Sequence, residues 1–358
     1  NVSITGREKV GGIVGINEGK LDASATDQSV QERFLVCRAK SVHATGGYAG
    51  GIIGEARRKA GTAEGTAGEA KIARAINKSV NVTADRGPAG GIVAVNQQGF
   101  QLESCINLGN VNSDNGYAGG IAAENYGQIM QCKVGDETRE EVGITISSRG
   151  ADAIGAVCAV NHGVIWESAP EKSMAEKDGK NTVILSGTSK LVGGIAGQNA
   201  AGGQIGMAYI EGGTDENTTL YHVSYMPHID IAAAALTVGG VAGQNQPALF
   251  EADAAGNGEQ AAELKPAAVA VIQNVSASGL AFEGFNNYQY LGGIAGENQN
   301  GAVVKDCIFA DGKIIQNSGT AAGNCYGGVA GRNDGNLQNC RIEGITINVQ
   351  GIYTATST

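Results

Sequence analysis

The chain has 358 residues, of which 57 are glycine, only 5 are proline and 5% are aromatic. Its net charge of −10, with no basic cluster beyond Arg57-Arg58-Lys59, disfavours nucleic-acid binding. No apolar run approaches the length of a membrane span and no signal peptide is visible, so the sequence predicts no membrane crossing within this segment.

One seven-residue phrase, Gly-Gly-Ile-Ala-Gly-x-Asn or a close variant, recurs nine times along the chain. The copies begin 29 to 53 residues apart, so a rigid unit alternates with segments of variable length. Such irregular repetition is typical of a solenoid with variable loops, and it overrides the two or three domains that length alone favours. The first glycines of the copies are Gly11, Gly50, Gly90, Gly119, Gly155, Gly193, Gly239, Gly292 and Gly327.

Within the phrase, the residue after the glycine pair is Ile or Val in every copy, which favours an extended strand. The residue two places later is always Gly or Ala, so neighbouring backbone can approach closely there. The residue before the asparagine varies in chemistry, as an outward position does. Asparagine itself is replaced only once, by Ala56, and stacked asparagines predict a ladder of side-chain hydrogen bonds along the repeat.

Three apolar runs make up each repeat. In one copy they span residues 119–125, 128–132 and 143–146, with glycine and asparagine turns between them. This order predicts an all-β fold, a right-handed parallel β-helix of about nine three-strand coils, as a single repeat domain over residues 1–358. With about 4.8 Å between coils, the rod is about 40 Å long.

The two ends of the sequence, residues 1–6 and 344–349, both resemble the third strand of a coil. Neither carries an evident polar cap of the kind that protects the terminal faces of solenoids. We therefore expect the sequence to be a piece of a longer polypeptide.

Four longer segments between copies are predicted insertions: 56–75, 166–180, 207–228 and 246–268. Loops on a rigid scaffold vary without disturbing the stack, so a specific function is expected in them. The third segment gathers rings, and such groups stack on sugars or anchor a protein partner. The alternative is that the rings pack onto the wall of the solenoid. The candidate binding residues are Tyr209, Tyr221, His222, Tyr225 and His228.

Five of the seven cysteines share one phase of the repeat: Cys37, Cys105, Cys132, Cys307 and Cys340. We expect small buried thiols stacked inside the solenoid. Disulfides between adjacent coils, Cys105 with Cys132 or Cys307 with Cys340, are the alternative because the coil separation suits them. No C-x-x-C pair occurs and the chain has only four histidines, so neither a metal nor another cofactor is expected.

Two copies share features beyond the phrase itself. The copy at 292–298 is followed by Gly301 and Cys307, and the copy at 327–333 by Gly335, Leu337 and Cys340. Both resemble the GLUG motif of large secreted or wall-attached bacterial proteins. The resemblance implies a secreted or cell-surface bacterial protein with a structural or adhesive repeat region, sometimes beside a peptidase domain, and it brings no catalytic residue. Copy two, at Ala56, and copy seven, at Pro247, depart from the pattern.

Enzymatic signals are weak. Parallel β-helix enzymes that act on acidic polysaccharides place several carboxylates on one outer sheet across adjacent coils, whereas Glu124 is flanked in the neighbouring copies by Val95 and Val160. Glu297 faces Arg332, which predicts a surface ion pair between adjacent strands.

Asp306 and Asp311 flank Cys307 and form a candidate carboxylate pair, although aspartates at strand ends and turns are ordinary. Taken together, the patterns favour a non-catalytic structural or adhesive repeat segment, a stiff rod that presents loops to a host or cell-surface ligand, either a glycan or a protein. Two alternatives stay open: a carbohydrate-active or glycan-binding β-helix of the lyase or hydrolase kind, and the non-catalytic part of a secreted peptidase.

Overall fold

A computed structural model describes residues 2–22, 34–59, 70–135, 143–171, 183–206, 220–231, 236–247, 268–284, 288–316 and 324–349. These residues form short β-strands and contain no helix. The strands occupy five positions in a repeated coil, and neighbouring strands are parallel. The predicted parallel β-helix is confirmed, and the right-handed turn of the coil stays a prediction.

The glycine-rich phrase forms the first two sheets, each with one strand from each of nine coils. The first sheet contains Lys9–Gly11, Tyr48–Gly50, Ala89–Gly90, Ala118–Gly119, Ala153–Gly155, Leu191–Gly193, Leu236–Gly239, Tyr288–Gly292 and Cys325–Gly327. The second sheet contains Val14–Asn17, Ile53–Ala56, Val93–Asn96, Ala122–Asn125, Cys158–Asn161, Ala196–Asn199, Ala242–Asn245, Ala295–Asn298 and Ala330–Asn333.

The segments between phrases form the other three positions. The third sheet contains Leu21–Asp22, Lys71–Ala73, Gln101–Glu103, Gln128–Met130, Val164–Trp166, Gln204–Ile205, Val271–Gln273, Val303–Lys305 and Asn336–Gln338. The fourth position is divided into a sheet of five strands, Leu35–Cys37, Ala75–Asn77, Ile106–Asn107, Lys133–Val134 and Ala169–Pro170, and a sheet of four, Tyr221–Val223, Val275–Ser278, Ile308–Ala310 and Arg341–Glu343. The fifth position has seven strands, Ser3–Gly6, Ser41–Ala44, Asn81–Ala84, Asn110–Ser113, Ile144–Ser148, Val183–Gly187 and His228–Ile231, and then a separate sheet of three, Ala281–Gly284, Lys313–Gln316 and Thr346–Val349.

Each coil has five strand segments rather than three because one predicted strand bends at a corner and another is followed, past a second corner, by a short strand of its own. The run at 119–125 is divided between the first and second sheets, whereas the run at 128–132 gives the third-sheet strand Gln128–Met130 and is followed by the fourth-position strand Lys133–Val134. The second corner falls at Gln131, whose φ of 52° is left-handed. The third predicted run, at 143–146, stays within one strand.

The corner between the first and second sheets explains the first glycine of the phrase. In all nine copies a Cβ added to this glycine would lie 1.7 to 2.1 Å from the carbonyl oxygen three residues later. That oxygen belongs to the backbone of the second sheet and has no freedom to move aside. Only glycine therefore permits the tight corner.

Replacing this glycine in a central coil is expected to damage the fold severely. For Gly119→Ala the added carbon would lie 1.9 Å from the carbonyl oxygen of Ala122. We expect a loss of at least about 3 kcal/mol in the free energy of unfolding, measured by urea denaturation. Gly19→Ala is the control, because no atom lies within 4 Å of a Cβ at that position. Equal stability of the two variants would contradict the steric explanation.

The β-branched residue after the glycine pair forms a column inside the core. The Ile13 nitrogen donates to the Ile52 carbonyl at 2.9 Å, and the Ile52 nitrogen donates to the Ile92 carbonyl at 3.0 Å. Ile52, Ile92 and their counterparts through Ile294 are fully buried. Like residues therefore stack on like residues along the solenoid, as the repeat predicts.

The asparagines of the second sheet form a buried ladder. Each Nδ2 donates to the Oδ1 of the asparagine in the following coil, at 2.7 to 2.9 Å, and the bonds link Asn96, Asn125, Asn161, Asn199, Asn245, Asn298 and Asn333. Several of these amides also donate to a backbone carbonyl of the third sheet, as Asn125 does to Val164 at 3.3 Å. The predicted ladder is confirmed, and it fixes the vertical register of the coils.

Ala56 interrupts this ladder with a measurable consequence. The bond direction means that the Oδ1 of Asn96 should accept from the side chain of the preceding coil, where the buried methyl of Ala56 stands. The Oδ1 of Asn96 is buried and has no hydrogen-bond partner among the described residues. A buried acceptor without a donor is costly, so the chain carries a local defect here.

Ala56→Asn is expected to stabilise the protein by extending the ladder. The new amide would donate to Asn96 and accept from Asn17, both of which are in register with position 56. We expect a gain of about 1–3 kcal/mol in the free energy of unfolding, measured by urea denaturation. Ala56→Ser is the control, because a hydroxyl is too short to bridge both neighbours. No gain over Ala56→Ser would show that the amide is not what the position lacks.

Three of the four predicted insertions include strands of the coil at their edges, as Tyr221–Val223 shows in the fourth position. The central parts of all four, residues 60–69, 172–180, 207–219 and 248–267, lie outside the described residues. Within the described ranges, no helix has the length and apolar character needed to cross a membrane.

Candidate functional site

Tyr221 and Tyr225, two of the predicted binding residues, pack against the solenoid. Tyr221 is 1% exposed, its hydroxyl donates to the Ser168 carbonyl, and its ring lies 5.9 Å from that of Trp166. Burial raises the pKa of the Tyr221 phenol. Tyr225 is half-buried against the core, and its hydroxyl accepts from the Val183 nitrogen at 3.4 Å. Tyr221 is therefore a core residue of the coil, as the alternative interpretation proposed for these rings.

The two histidines lie on strands rather than in a loop. His222 is in the fourth position of its coil, beside Ser276, and His228 is in the fifth, beside Ile184. Both side chains are exposed. Tyr209 lies outside the described residues. A ligand-binding role for these residues stays a prediction, and the two imidazoles belong to different sheets of the solenoid.

A second group of side chains stands out because it forms an outer strip along the whole stack. We define the outer strip as two columns, one at the start of the first sheet and one at the position before the phrase asparagine. The first column contains Lys9, Tyr48, Pro88, Tyr117, Ala153, Leu191, Thr237, Tyr290 and Cys325. The second contains Ile16, Glu55, Val95, Glu124, Val160, Gln198, Gln244, Glu297 and Arg332.

The outer strip lies outside the main core but is not freely exposed. A small apolar cluster separate from the main core contains Ala153, Ala159 and Val160, with Tyr117 and Leu191 packed against it. The two columns cover each other because the second sheet folds back beside the first at the glycine corner. The variable position before the asparagine therefore has packing partners, which its mixed composition did not indicate.

Polar groups at both ends of the strip are satisfied within the chain. The Gln198 amide donates to the Gln244 carbonyl oxygen at 2.9 Å, and the Gln244 amide donates to Glu297 at 2.7 Å. The predicted pair of Glu297 with Arg332 is present at 3.5 Å. At the other end, Lys9 forms an ion pair with Glu55, which is 5% exposed.

The centre of the strip is aromatic and carries one carboxylate. Glu124 accepts a hydrogen bond from the Tyr126 hydroxyl at 3.2 Å. The ring of Tyr126 stacks on that of His162 with centroids 4.7 Å apart and planes 1° apart. Tyr126, which lies beside the strip, is 38% exposed, while Tyr117 and Glu124 are half-buried.

The titration of Glu124 reflects this apolar environment. Burial raises the pKa of the carboxyl above its ordinary value, while the hydrogen bond from Tyr126 and the positive potential of His162 act in the opposite direction. Burial also raises the pKa of Tyr126 to about 12, and the charge of Glu124 adds to that shift. A carboxyl with these properties is favourable for binding positive charge or for donating a proton.

Glu124→Gln is expected to stabilise the protein at neutral pH. Because the pKa is raised on folding, the folded state favours the neutral acid, and the charged carboxylate costs stability once the pH rises above the unfolded pKa. We expect the melting temperature of the variant to exceed that of the parent at about pH 7 and to match it near pH 3.5. Glu343→Gln, at a side chain 58% exposed, is the control and should show no such difference. A lower melting temperature at neutral pH would contradict this account.

The two residues of the predicted carboxylate pair lie at backbone corners, and a catalytic role for them stays a prediction. Asp306 and Asp311 both have left-handed backbone, with φ of 52° and 50°, and stand at corners of one coil. The Oδ1 of Asp306 accepts from the Asn339 amide at 3.1 Å. In the ranges described above, no group of three or more His, Cys, Asp or Glu side chains could hold a metal ion.

All seven cysteines are free thiols, and five of them are buried: Cys37, Cys105, Cys132, Cys158 and Cys307. The Cys105 nitrogen lies 3.4 Å from the Cys132 sulfur, so these residues stack as the shared phase predicts. A hydrogen bond from Cys307 lowers the pKa of Cys340 to about 6. Neither of the two disulfides considered from the sequence is formed.

The fold defines this chain as a parallel β-helix solenoid of nine coils with an outer strip of polar and aromatic side chains. No protein-family model matches the chain, and neither the curated proteins nor the solved structures contain a match.

Proposed function

We propose that this chain is a non-catalytic structural or adhesive repeat segment, a stiff scaffold that presents side chains and loops to a ligand. The observation that carries the proposal is the unbroken asparagine ladder from Asn96 to Asn333. This ladder links the third coil to the ninth, and parallel backbone pairing in the first three sheets joins each of the nine coils to its neighbours. Such a repeat transmits load along its axis and leaves its outer surface free to vary.

The resemblance of the phrase to the GLUG motif supports a cellular location for this scaffold. In the proposed setting the chain is part of a secreted or cell-surface bacterial protein, and its ligand is a host or cell-surface glycan or protein. A neighbouring peptidase domain is compatible with the same scaffold role. These assignments rest on the motif at 292–298 and 327–333 and on the rigid architecture.

A carbohydrate-active β-helix is the second candidate, and one observation favours it. Glu124 is a half-buried carboxyl with a raised pKa, which is a property of general acids in glycoside hydrolysis. Such enzymes use a second carboxylate across the scissile bond, at about 5–9.5 Å. The positions in register with Glu124 on both sides are Val95 and Val160, so the strip supplies no such partner there.

The two candidates are separated by incubating the purified chain with neutral and acidic polysaccharides. We expect neither new reducing ends nor unsaturated products, measured by a reducing-sugar assay and by ultraviolet absorbance. Glu124→Gln serves as the matched variant. Products formed by the parent and lost in Glu124→Gln would replace the scaffold proposal with an enzymatic one.

The scaffold role also predicts how the folded chain opens locally to allow exchange of its amide hydrogens. Because the ladder couples neighbouring coils, we expect backbone amides of the second sheet from Val93 to Asn298 to exchange with deuterium only through cooperative opening of several coils. Hydrogen exchange followed by mass spectrometry measures this. Rapid, independent exchange of single central coils would argue against a stiff segment.

A further inference from the structure

The outer strip repeats one pair of side chains three times. A tyrosine of the first column is followed seven residues later by a glutamate of the second column in coils two, four and eight. The pairs are Tyr48 with Glu55, Tyr117 with Glu124, and Tyr290 with Glu297. Because the columns are in register, the three pairs occupy equivalent places on the solenoid.

The first of these pairs holds a cation supplied by the chain itself. The Lys9 ammonium forms an ion pair with Glu55 and lies 5.9 Å from the centre of the Tyr48 ring. Lys9 comes from the first column of the preceding coil, in register with Tyr48. Ring and carboxylate thus act together on one positive charge, as in other cation–π sites.

The third pair also holds a cation, which reaches it from the other side. The Arg332 guanidinium lies 3.5 Å from Glu297 and 5.6 Å from the centre of the Tyr290 ring, and it donates to the Tyr290 hydroxyl at 3.2 Å. Arg332 comes from the second column of the following coil, in register with Glu297. Two different cations, from two directions, therefore contact equivalent tyrosine–glutamate pairs, and Arg332 also forms an ion pair with Asp334 at 2.8 Å.

The middle pair has the same two side chains but no lysine or arginine at the equivalent positions; His162, stacked on Tyr126, is the basic side chain whose potential acts on Glu124. The position equivalent to Lys9 is Pro88, and the position equivalent to Arg332 is Val160. Among the described residues, no Lys or Arg forms an ion pair with Glu124, whose one side-chain hydrogen bond comes from the Tyr126 hydroxyl. The two flanking pairs show that this arrangement accepts positive charge, and here neither equivalent position supplies a lysine or an arginine.

We propose that Tyr117 and Glu124 form a binding site for an organic cation, an ammonium or guanidinium group carried on an alkyl stem. This is the chemistry of lysine and arginine side chains and also of free alkylamines. The cation would contact the Glu124 carboxylate and the Tyr117 ring, as Arg332 contacts Glu297 and Tyr290.

The surroundings of the pair fit both parts of such a ligand. The apolar cluster formed by Val160, Ala153 and Leu191 lies beside Tyr117 and provides contact surface for an alkyl stem. Glu124 is half-buried rather than fully buried, and Tyr126, whose hydroxyl donates to it, is 38% exposed. A carboxylate that is partly desolvated gains more from a cation than an exposed one does.

This inference rests on the proposed function, because it names the ligand chemistry of one site on the ligand-presenting scaffold. The two fail separately. The scaffold proposal depends on the absence of polysaccharide cleavage and on cooperative exchange, whereas the cation site depends on binding at Glu124.

The test uses the whole chain and three small probes that share a butyl stem and differ in their polar end group. Butylguanidinium and butylammonium carry the proposed groups, and butylurea is the neutral control. Binding is followed by two-dimensional NMR of the backbone amides near residues 124–126 and 160–162. We expect saturable shifts with the two cations and none with butylurea. Equal shifts with butylurea would overturn the proposal.

Three variants locate the site. Glu124→Gln is expected to weaken cation binding by about ten-fold or more, since a charge-assisted contact is lost. Val160→Arg places a guanidinium in register with Glu124, as Arg332 is with Glu297, and is expected to abolish binding while the carboxylate remains. Glu343→Gln, on an exposed side chain, should bind as the parent does. Circular dichroism confirms that each variant is folded.

Two further outcomes decide the source of the cation and the fate of the proposal. If an arginine-containing peptide binds more tightly than its citrulline counterpart and also more tightly than butylguanidinium, the cation is assigned to a polypeptide partner. Equal binding of peptide and butylguanidinium would assign it to a free amine, and both results support the site. Cation binding that is unchanged in folded Glu124→Gln would overturn it.

Discussion

A buried amide that lacks a hydrogen-bond partner lowers the stability of the fold by about 1–3 kcal/mol. This cost governs how successive coils align along the axis of the solenoid. Each coil must place its asparagine directly beside those of its neighbours, because a shift of one residue would leave two amides unpaired. The tight corner at the first glycine sets where that asparagine falls within the coil. The corner, present in all nine coils, and the ladder, which links seven of them, hold the stack in one register despite insertions of very different length.

The register of the outer strip is set by the ladder and the glycine corner. Since position 124 is one residue before a laddered asparagine, its side chain is held at a fixed height beside Val95 and Val160. The same holds for Tyr117, which stands two residues before the corner glycine. A rigid core thus allows single residues of the strip to change chemistry from coil to coil, and two of the three tyrosine–glutamate pairs have acquired an internal cation in this way.

The features that repeat from coil to coil could be predicted from the sequence. The corners, which depend on how the chain bends in three dimensions, could not. The nine phrases were sufficient for the coil count, the isoleucine column and the asparagine ladder. The corner at Gln131 gave no signal, because residues with left-handed backbone at this position include Arg74 and Glu167 rather than glycine alone. Tyr221 was placed in an insertion since its strand has no glycine phrase to mark it.

The tyrosine–glutamate pairs were missed for a different reason. Each residue is unremarkable by itself, and Glu124 and Glu297 were compared only with their neighbours in the same column. The seven-residue spacing from tyrosine to glutamate, repeated across three copies of the phrase, is visible in the sequence. Its meaning requires knowing that the first sheet and the second lie side by side at the corner, which no local pattern specifies.

The asparagine ladder has a direction, since every amide donates toward the following coil and none toward the preceding one. Seven amide dipoles joined by six hydrogen bonds add along the axis, and each bond polarises the next. The solenoid is therefore electrically polar, with its negative pole at the unpaired oxygen of Asn96. A coil duplicated within the stack would lengthen this chain of dipoles, whereas a coil lacking asparagine would divide it into two independent halves, as Ala56 already does near one end.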